Sequence, residues 1–140
     1  MNYDILSRVS SPEDVKKLSG AELVELCSEI RGKMLETVSK NGGHLSSNLG
    51  AVELTVAIHR VFDSPKDSIV FDVGHQCYAH KMLTGRYEKF DSLRKKGGLS
   101  GFCRPNESEH DSFYSGHSAT SVSAGLGVAT ANKIRGSEAY

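Results

Sequence analysis

Ser68-Ile69-Val70-Phe71-Asp72-Val73-Gly74-His75 decides the fold class of this chain. A strand with one solvated face alternates apolar and polar side chains. Ile69, Val70, Phe71 and Val73 instead form a nearly continuous apolar run, which suits a strand covered on both faces in a parallel α/β sheet. Asp63-Ser64-Pro65-Lys66-Asp67 before it is a turn cluster, and the strand stops at Gly74-His75. Glu138-Ala139-Tyr140 opens a second strand. The expected fold is α/β, mostly helical with a short parallel-sheet portion.

The helices are read outward from this run. Upstream, Ser11-Pro12-Glu13-Asp14 combines an N-cap, a proline at the first helical position and acid in the first turn, so a short helix starts there. Ser19-Gly20-Ala21-Glu22 has capping-box spacing. Leu23, Leu26, Cys27, Ile30, Met34 and Val38 then recur along one face, predicting an amphipathic helix that ends near Asn41-Gly42-Gly43. Leu54, Ala57, Ile58, Val61 and Phe62 predict another, with Ser47 or Asn48 as its cap. Downstream, Gln76 to about Lys96 is helical and polar, interrupted at Thr84-Gly85, and Gly97 through Ser115 is a long loop, of a length that is usually functional or disordered. Ser118 to Lys133 is built of small residues able to lie close to other backbone, and is expected to be a buried helix.

At 140 residues, one domain suffices, burying about two-thirds of the unfolded chain's surface. Seventeen Lys+Arg balance seventeen Asp+Glu, for a net charge of zero, so no electrostatic field favours nucleic acid or an anionic membrane as partner. Cys27, Cys77 and Cys103 form neither a Cys-x-x-Cys motif nor an even set, so neither a disulfide framework nor a cysteine zinc site is expected. The N-terminus shows no basic segment followed by a long apolar one, and a cytoplasmic location is expected.

Glycine stands beside histidine in three loop segments: Gly42-Gly43-His44, Gly74-His75 and Gly116-His117-Ser118. In open α/β sheets ligands sit beyond the carboxyl ends of strands, which singles out His75, and a neighbouring glycine lets backbone approach a ligand closely. Gly116-His117-Ser118 precedes the small-residue helix, whose first N–H groups favour an anion such as phosphate. Any one such pair is ordinarily a turn with a surface histidine; three together point to a site.

Other candidates have simpler explanations. His75-x-Cys77-x-x-His80 matches no established zinc spacing, and Cys77 serves equally as a small core residue. Gly125-Leu126-Gly127 falls within a helix rather than at a strand-to-helix turn, so packing explains it better than a dinucleotide site. Glu107-Ser108-Glu109-His110-Asp111 contains the makings of an acid–base pair but reads first as a solvated loop. Arg94-Lys95-Lys96 reads as a solvated helix end.

At these same segments the sequence resembles the 1-deoxy-D-xylulose-5-phosphate synthase family of transketolase-like enzymes. The resemblance is carried by Gly43-His44-Leu45-Ser46-Ser47-Asn48-Leu49-Gly50, Val52-Glu53-Leu54-Thr55, Asp72-Val73-Gly74-His75-Gln76, His80-Lys81, Leu83-Thr84-Gly85, Gly97-Gly98-Leu99-Ser100-Gly101-Phe102 and Gly116-His117-Ser118 with its flanking Ser115. It implies an incomplete thiamine-diphosphate-binding fold like the transketolase pyrophosphate domain. Residues 1–140 would be its N-terminal part, ending before a Gly-Asp-Gly motif and an Asn that ligate Mg²⁺ in the family. It further implies thiamine diphosphate and Mg²⁺ as cofactors, with no metal ligand in this chain, and pyruvate and D-glyceraldehyde 3-phosphate as substrates. A homodimer is implied for the full-length enzyme. His75, Gly116, His117 and Ser118 are the implied cofactor contacts, and His44 and His75 the implied catalytic residues. The chain alone is expected to be catalytically incomplete. Its alternatives are the first subunit of a split transketolase-type enzyme or a non-catalytic interaction module.

Overall fold

The computed structural model describes residues 3–114 and 116–140; Met1, Asn2 and Ser115, the last of these part of the third glycine–histidine segment, lie outside the described residues. Helix α1 (Pro12–Lys17) starts on Ser11 with proline in its first turn, and the Asp14 carboxylate accepts the backbone N–H groups of Ser10 and Ser11 at 3.1 and 3.2 Å. Helix α2 (Gly20–Asn41) opens on a reciprocal capping box between Ser19 and Glu22 and closes at Gly42, whose φ is +72°. Both helices begin where their capping residues dictate.

α2 is the centre of the core. Leu26, Ile30, Met34 and Val38 of its apolar face are buried, each fully covered large side chain contributing about 1.5–3 kcal/mol. Its polar residues are also put to structural use: buried Glu29 accepts the amides of Ile5 and Leu6 at 3.2 and 2.6 Å and so caps the short 3₁₀ turn Leu6–Arg8. Two helices follow where one was expected, α3 (Leu45–Leu49) and α4 (Val52–Val61). Ser47 and Asn48 therefore lie within α3 and cap nothing, and Ala51 stands at the start of α4 without a side-chain cap. α4 packs against α1, α2 and α5 (Tyr78–Lys81). It does so through Val52, Thr55, Val56 and His59, leaving Leu54 and Val61 of the expected face 63% and 70% exposed. Thr55 and His59 turn inward because each finds a partner, the Ala51 carbonyl at 2.7 Å and the His80 ring at 2.9 Å.

The break at Thr84-Gly85 is present: helical turns continue from α5 through Met82–Arg86, and there Thr84 leaves helical angles and Gly85 has φ +80°. The segment is not a solvated helix, since Tyr78 through Thr84 and Arg86 are buried. Residues 97–114 form no regular element among the described residues, as expected of a long loop.

Two expectations are corrected. No strand is present among the described residues; Ser68 through Phe71 run without a ladder. A strand requires a neighbour for its N–H and C=O groups. Here one backbone bond, from Ser68 N–H to the Tyr140 carbonyl at 2.8 Å, joins the apolar run to the segment 138–140. The small-residue helix α6 (Thr120–Arg135) has no buried residue, and Val122, Leu126 and Ile134 are 73%, 69% and 81% exposed. Small side chains permit close packing but do not supply a partner to pack on.

Candidate active site

Gly43 and Gly74 determine how the first two histidines are presented. Gly43 has φ +146°, and a Cβ built there would lie 2.8 Å from the Tyr78 hydroxyl; at Gly74, φ +91°, a Cβ would lie 3.3 Å from the Phe102 ring. Each glycine lets a histidine loop pass close to an aromatic side chain that any larger residue would displace. Val73, next to Gly74, has φ +60°, a strained conformation for a β-branched residue and a common companion of functional loops.

The result is a cluster of three rings. His44 and His75 meet edge to face with centroids 4.0 Å apart and planes at 89°, and Phe102 stands 5.7 Å from His75 and 6.4 Å from His44. His44 is exposed and His75 partly buried. Desolvation holds the His44 imidazole below the ordinary histidine range, and the proximity of His75 and Arg94 acts in the same direction. A neutral imidazole at neutral pH offers one donor and one acceptor nitrogen.

Two clefts flank the cluster. His75, Asp72 and Gln76 line one of about 570 Å³ together with Ser47 and Leu54 of α3 and α4. Phe102, Arg94 and Arg104 line another of about 380 Å³ with the glycines of the loop 97–101. Arg94-Lys95-Lys96 is thus not a helix end. Arg94 has φ +63°, and its side chain lies against Gly43 and Gly101, beside the His44 loop.

The third segment is arranged differently. Gly116 has open space at its Cα, His117 and Ser118 are exposed, and Thr120 donates to the His117 carbonyl at 2.7 Å. Among the described residues, no ring contact or hydrogen bond joins His117 to His44 or His75. The link between the segments is Asp72. Its carboxylate accepts from Ala119 N–H at 3.1 Å, and from the Ser121 N–H and hydroxyl at 3.4 and 2.9 Å. These bonds, the Ala119 amide first, hold Asp72 below the usual carboxylate range. The start of α6 does attract an anion, and that anion is a side chain of the His75 loop.

Behind the rings lies a buried ionic network that local sequence pattern did not reveal. The Arg86 guanidinium grips Asp111 with two bonds of 2.8 Å, and Arg86 and Lys81 both reach Glu107. Asp111 also accepts from Arg104 N–H at 2.7 Å and contacts His80 Nε2 at 3.0 Å. As an acceptor only, it assigns the proton to His80 Nε2, so His80 Nδ1 accepts from His59 Nε2 at 2.9 Å. Two cations and two carboxylates balance, and burial keeps His80 and His59 neutral, the latter pushed down to about 3. The 107–111 segment is therefore the anchor of the long loop, not a solvated stretch. Its signal was the pairing of Lys81 and Arg86 with acids over twenty residues away. His80, Cys103 and Asp111 bring ligand atoms within 4.8 Å of one another, but Arg86 and Lys81 already supply the positive charge a metal ion would bring. All three cysteines are free and buried, with Cys77 a core residue.

A family model described as 1-deoxy-D-xylulose-5-phosphate synthase matches residues 6–140. The chain belongs to this family. It is 59% identical over 137 residues to the 1-deoxy-D-xylulose-5-phosphate synthase of Acidovorax ebreus, covering 98% of this chain and 22% of that protein. The synthase of Bordetella petrii is 57% identical over 136 residues, and that of Heliobacterium modesticaldum 57% over 131, covering 97% and 94% of this chain and 22% and 20% of the relatives. The chain thus spans about a fifth of the length of the curated synthases it matches. Among the described residues, no helix is long and apolar enough to cross a membrane.

Proposed function

We propose that this chain is the N-terminal part of the thiamine-diphosphate-binding domain of a 1-deoxy-D-xylulose-5-phosphate synthase. The complete enzyme joins pyruvate, after loss of carbon dioxide, to D-glyceraldehyde 3-phosphate. The observation that carries the proposal is the edge-to-face contact of His44 and His75, 4.0 Å between centroids, on two glycine-hinged loops between two open clefts. Two histidines whose rings, among the described residues, meet only each other and Phe102 suit proton transfer better than packing.

The residues suit the cofactor in part. His75, Gly116, His117 and Ser118 are the groups available to meet thiamine diphosphate, and open space at Gly116 leaves room for close approach. The amides of Ala119 and Ser121 are already held by Asp72, so a diphosphate would rely on the preceding turn and on groups outside the described residues. Mg²⁺ wants several oxygen ligands, and the acids nearest the site are engaged by cations or amides. Its ligands would come from elsewhere in the full-length enzyme, a cytoplasmic homodimer in which the run 68–73 becomes a strand of a parallel sheet.

Bound thiamine diphosphate supplies the electron sink for decarboxylation. The chain's own residues orient and protonate. His44, neutral and exposed, donates a hydrogen bond to the substrate carbonyl oxygen as negative charge develops there, and His75 holds the cofactor side of the site. Arg94 and Arg104 give the adjoining cleft a positive charge that suits carboxylate and phosphate substrates. In a complete enzyme built around this segment, His44→Ala and His75→Ala should each lower kcat by about a hundredfold or more with circular dichroism unchanged. Wild-type turnover by either variant at saturating cofactor would remove that histidine from the mechanism.

A further inference from the structure

Asn48 lies in α3 between the two histidine loops and is 1% exposed. Its Nδ2 donates to the His44 carbonyl at 2.6 Å and also to the His75 carbonyl; its Oδ1 accepts the Tyr78 N–H at 2.8 Å. Ser47 Oγ adds a second donor to the His75 carbonyl at 3.1 Å. Tyr78 in turn underlies Gly43, the residue before His44. One planar carboxamide therefore holds both histidine backbones and the start of the helix beneath them. Only a primary amide of this length has two donors and an acceptor for these three partners: aspartate has the shape without the donors, and serine has a single donor.

We propose that Asn48 is a positioning residue that sets the separation of His44 and His75 by binding both of their backbone carbonyls. Its bearing on catalysis rests on the proposed roles of the two histidines. The buried amide has no capping duty at the ends of α3 or α4, and each of its bonds leads to a histidine loop or to the tyrosine supporting one. Losing the donors breaks the direct tie between the two histidine carbonyls and leaves that of His75 held by Ser47 Oγ alone, and small displacements of paired catalytic groups are costly in rate.

The test uses the complete synthase built around this segment. Asn48→Asp keeps the shape and the acceptor for Tyr78 N–H while removing both donors; Asn48→Ser restores one donor and serves as well if the aspartate variant fails to fold. Expected for Asn48→Asp are a fall in kcat of about tenfold to a hundredfold and a change in KM for pyruvate of less than about threefold. In enzyme labelled with ¹³C-histidine, the Cε1–H resonances of His44 and His75 should both shift, since each lies in the other's ring current. Asn48→Ser should fall between the two. Wild-type kcat, or lowered kcat with both imidazole resonances unmoved, would overturn the assignment. If His44→Ala and His75→Ala retain full turnover, the catalytic reading fails separately. The resonances then decide alone whether Asn48 sets the spacing, displacement supporting it and fixed positions overturning it.

Discussion

At Gly43 a single absent carbon decides where His44 stands. A Cβ there would meet the Tyr78 hydroxyl at 2.8 Å, and φ +146° would strain any side chain, so the loop reaches its position only as glycine. The same reasoning made His44 and His75 legible in the sequence, because glycine beside histidine at the end of an element is a local signal. Asn48 and Asp72 were not legible in this way. Apart from the His44 carbonyl, four residues from Asn48, their partners lie 27 to 49 residues off, and nothing in their neighbours announces them. Gly116 provides the contrasting case, since a side chain there meets no atom within 4 Å and its loss of space is felt only by a ligand. Gly116→Val in the complete enzyme should leave the melting temperature unchanged and weaken thiamine diphosphate by about tenfold, the loss of one or two hydrogen bonds. Calorimetric titration checks this; an unchanged Kd would mark the segment as a plain turn.

Elements were legible to the extent that their own residues define them. α1 and α2 both begin on their capping residues, and α2, which also carries a helical apolar period, ends at Asn41 before Gly42 where its signals lie. α4 was recognised as a helix but turned the wrong way, because apolar spacing cannot anticipate that His59 and Thr55 find buried partners. The expected strand at 68–73 and the expected burial of α6 both required neighbours, which no local pattern contains, and neither is present among the described residues. The buried histidine pair gives the elements a pH dependence. His59 is held at about 3 and His80 is also depressed, among Lys81, Arg86, Glu107, His110 and Asp111. Below about pH 6.5 the unfolded chain binds protons that the folded one refuses, so stability present above that pH is lost as the pH falls toward 3. Each histidine contributes a slope of about 1.4 kcal/mol per pH unit within its window. Urea titrations between pH 8 and 4.5 should show this fall, and His59→Phe should lessen it. A flat stability across that range would contradict the neutral assignment of the pair.

For the whole molecule, the described residues contain a packed helical core, a histidine cluster on its surface, and surfaces without partners. Leu54 and Val61 of α4, Val24 of α2, and the apolar residues of α6 face outward. At the proposed site ring nitrogens and basic side chains are present, whereas the first amides of α6 and the carboxylates of Asp72 and Asp111 are already engaged. The purified 140-residue chain should accordingly bind thiamine diphosphate with Mg²⁺ more weakly than about 100 μM, a loss of at least about 3 kcal/mol against micromolar binding, and release no carbon dioxide from pyruvate. Micromolar binding with steady turnover would show that the residues described suffice.

His44 and His75 are proposed to act together on one reacting centre, and a double-mutant cycle reads their coupling. Measured on the complete enzyme at saturating cofactor, His44→Ala, His75→Ala and the double variant should be strongly non-additive. The pair should lose about as much kcat as the worse single variant, as groups that act as a unit do. Losses that multiply across the two positions would contradict it, since the histidines would then contribute independently despite rings 4.0 Å apart.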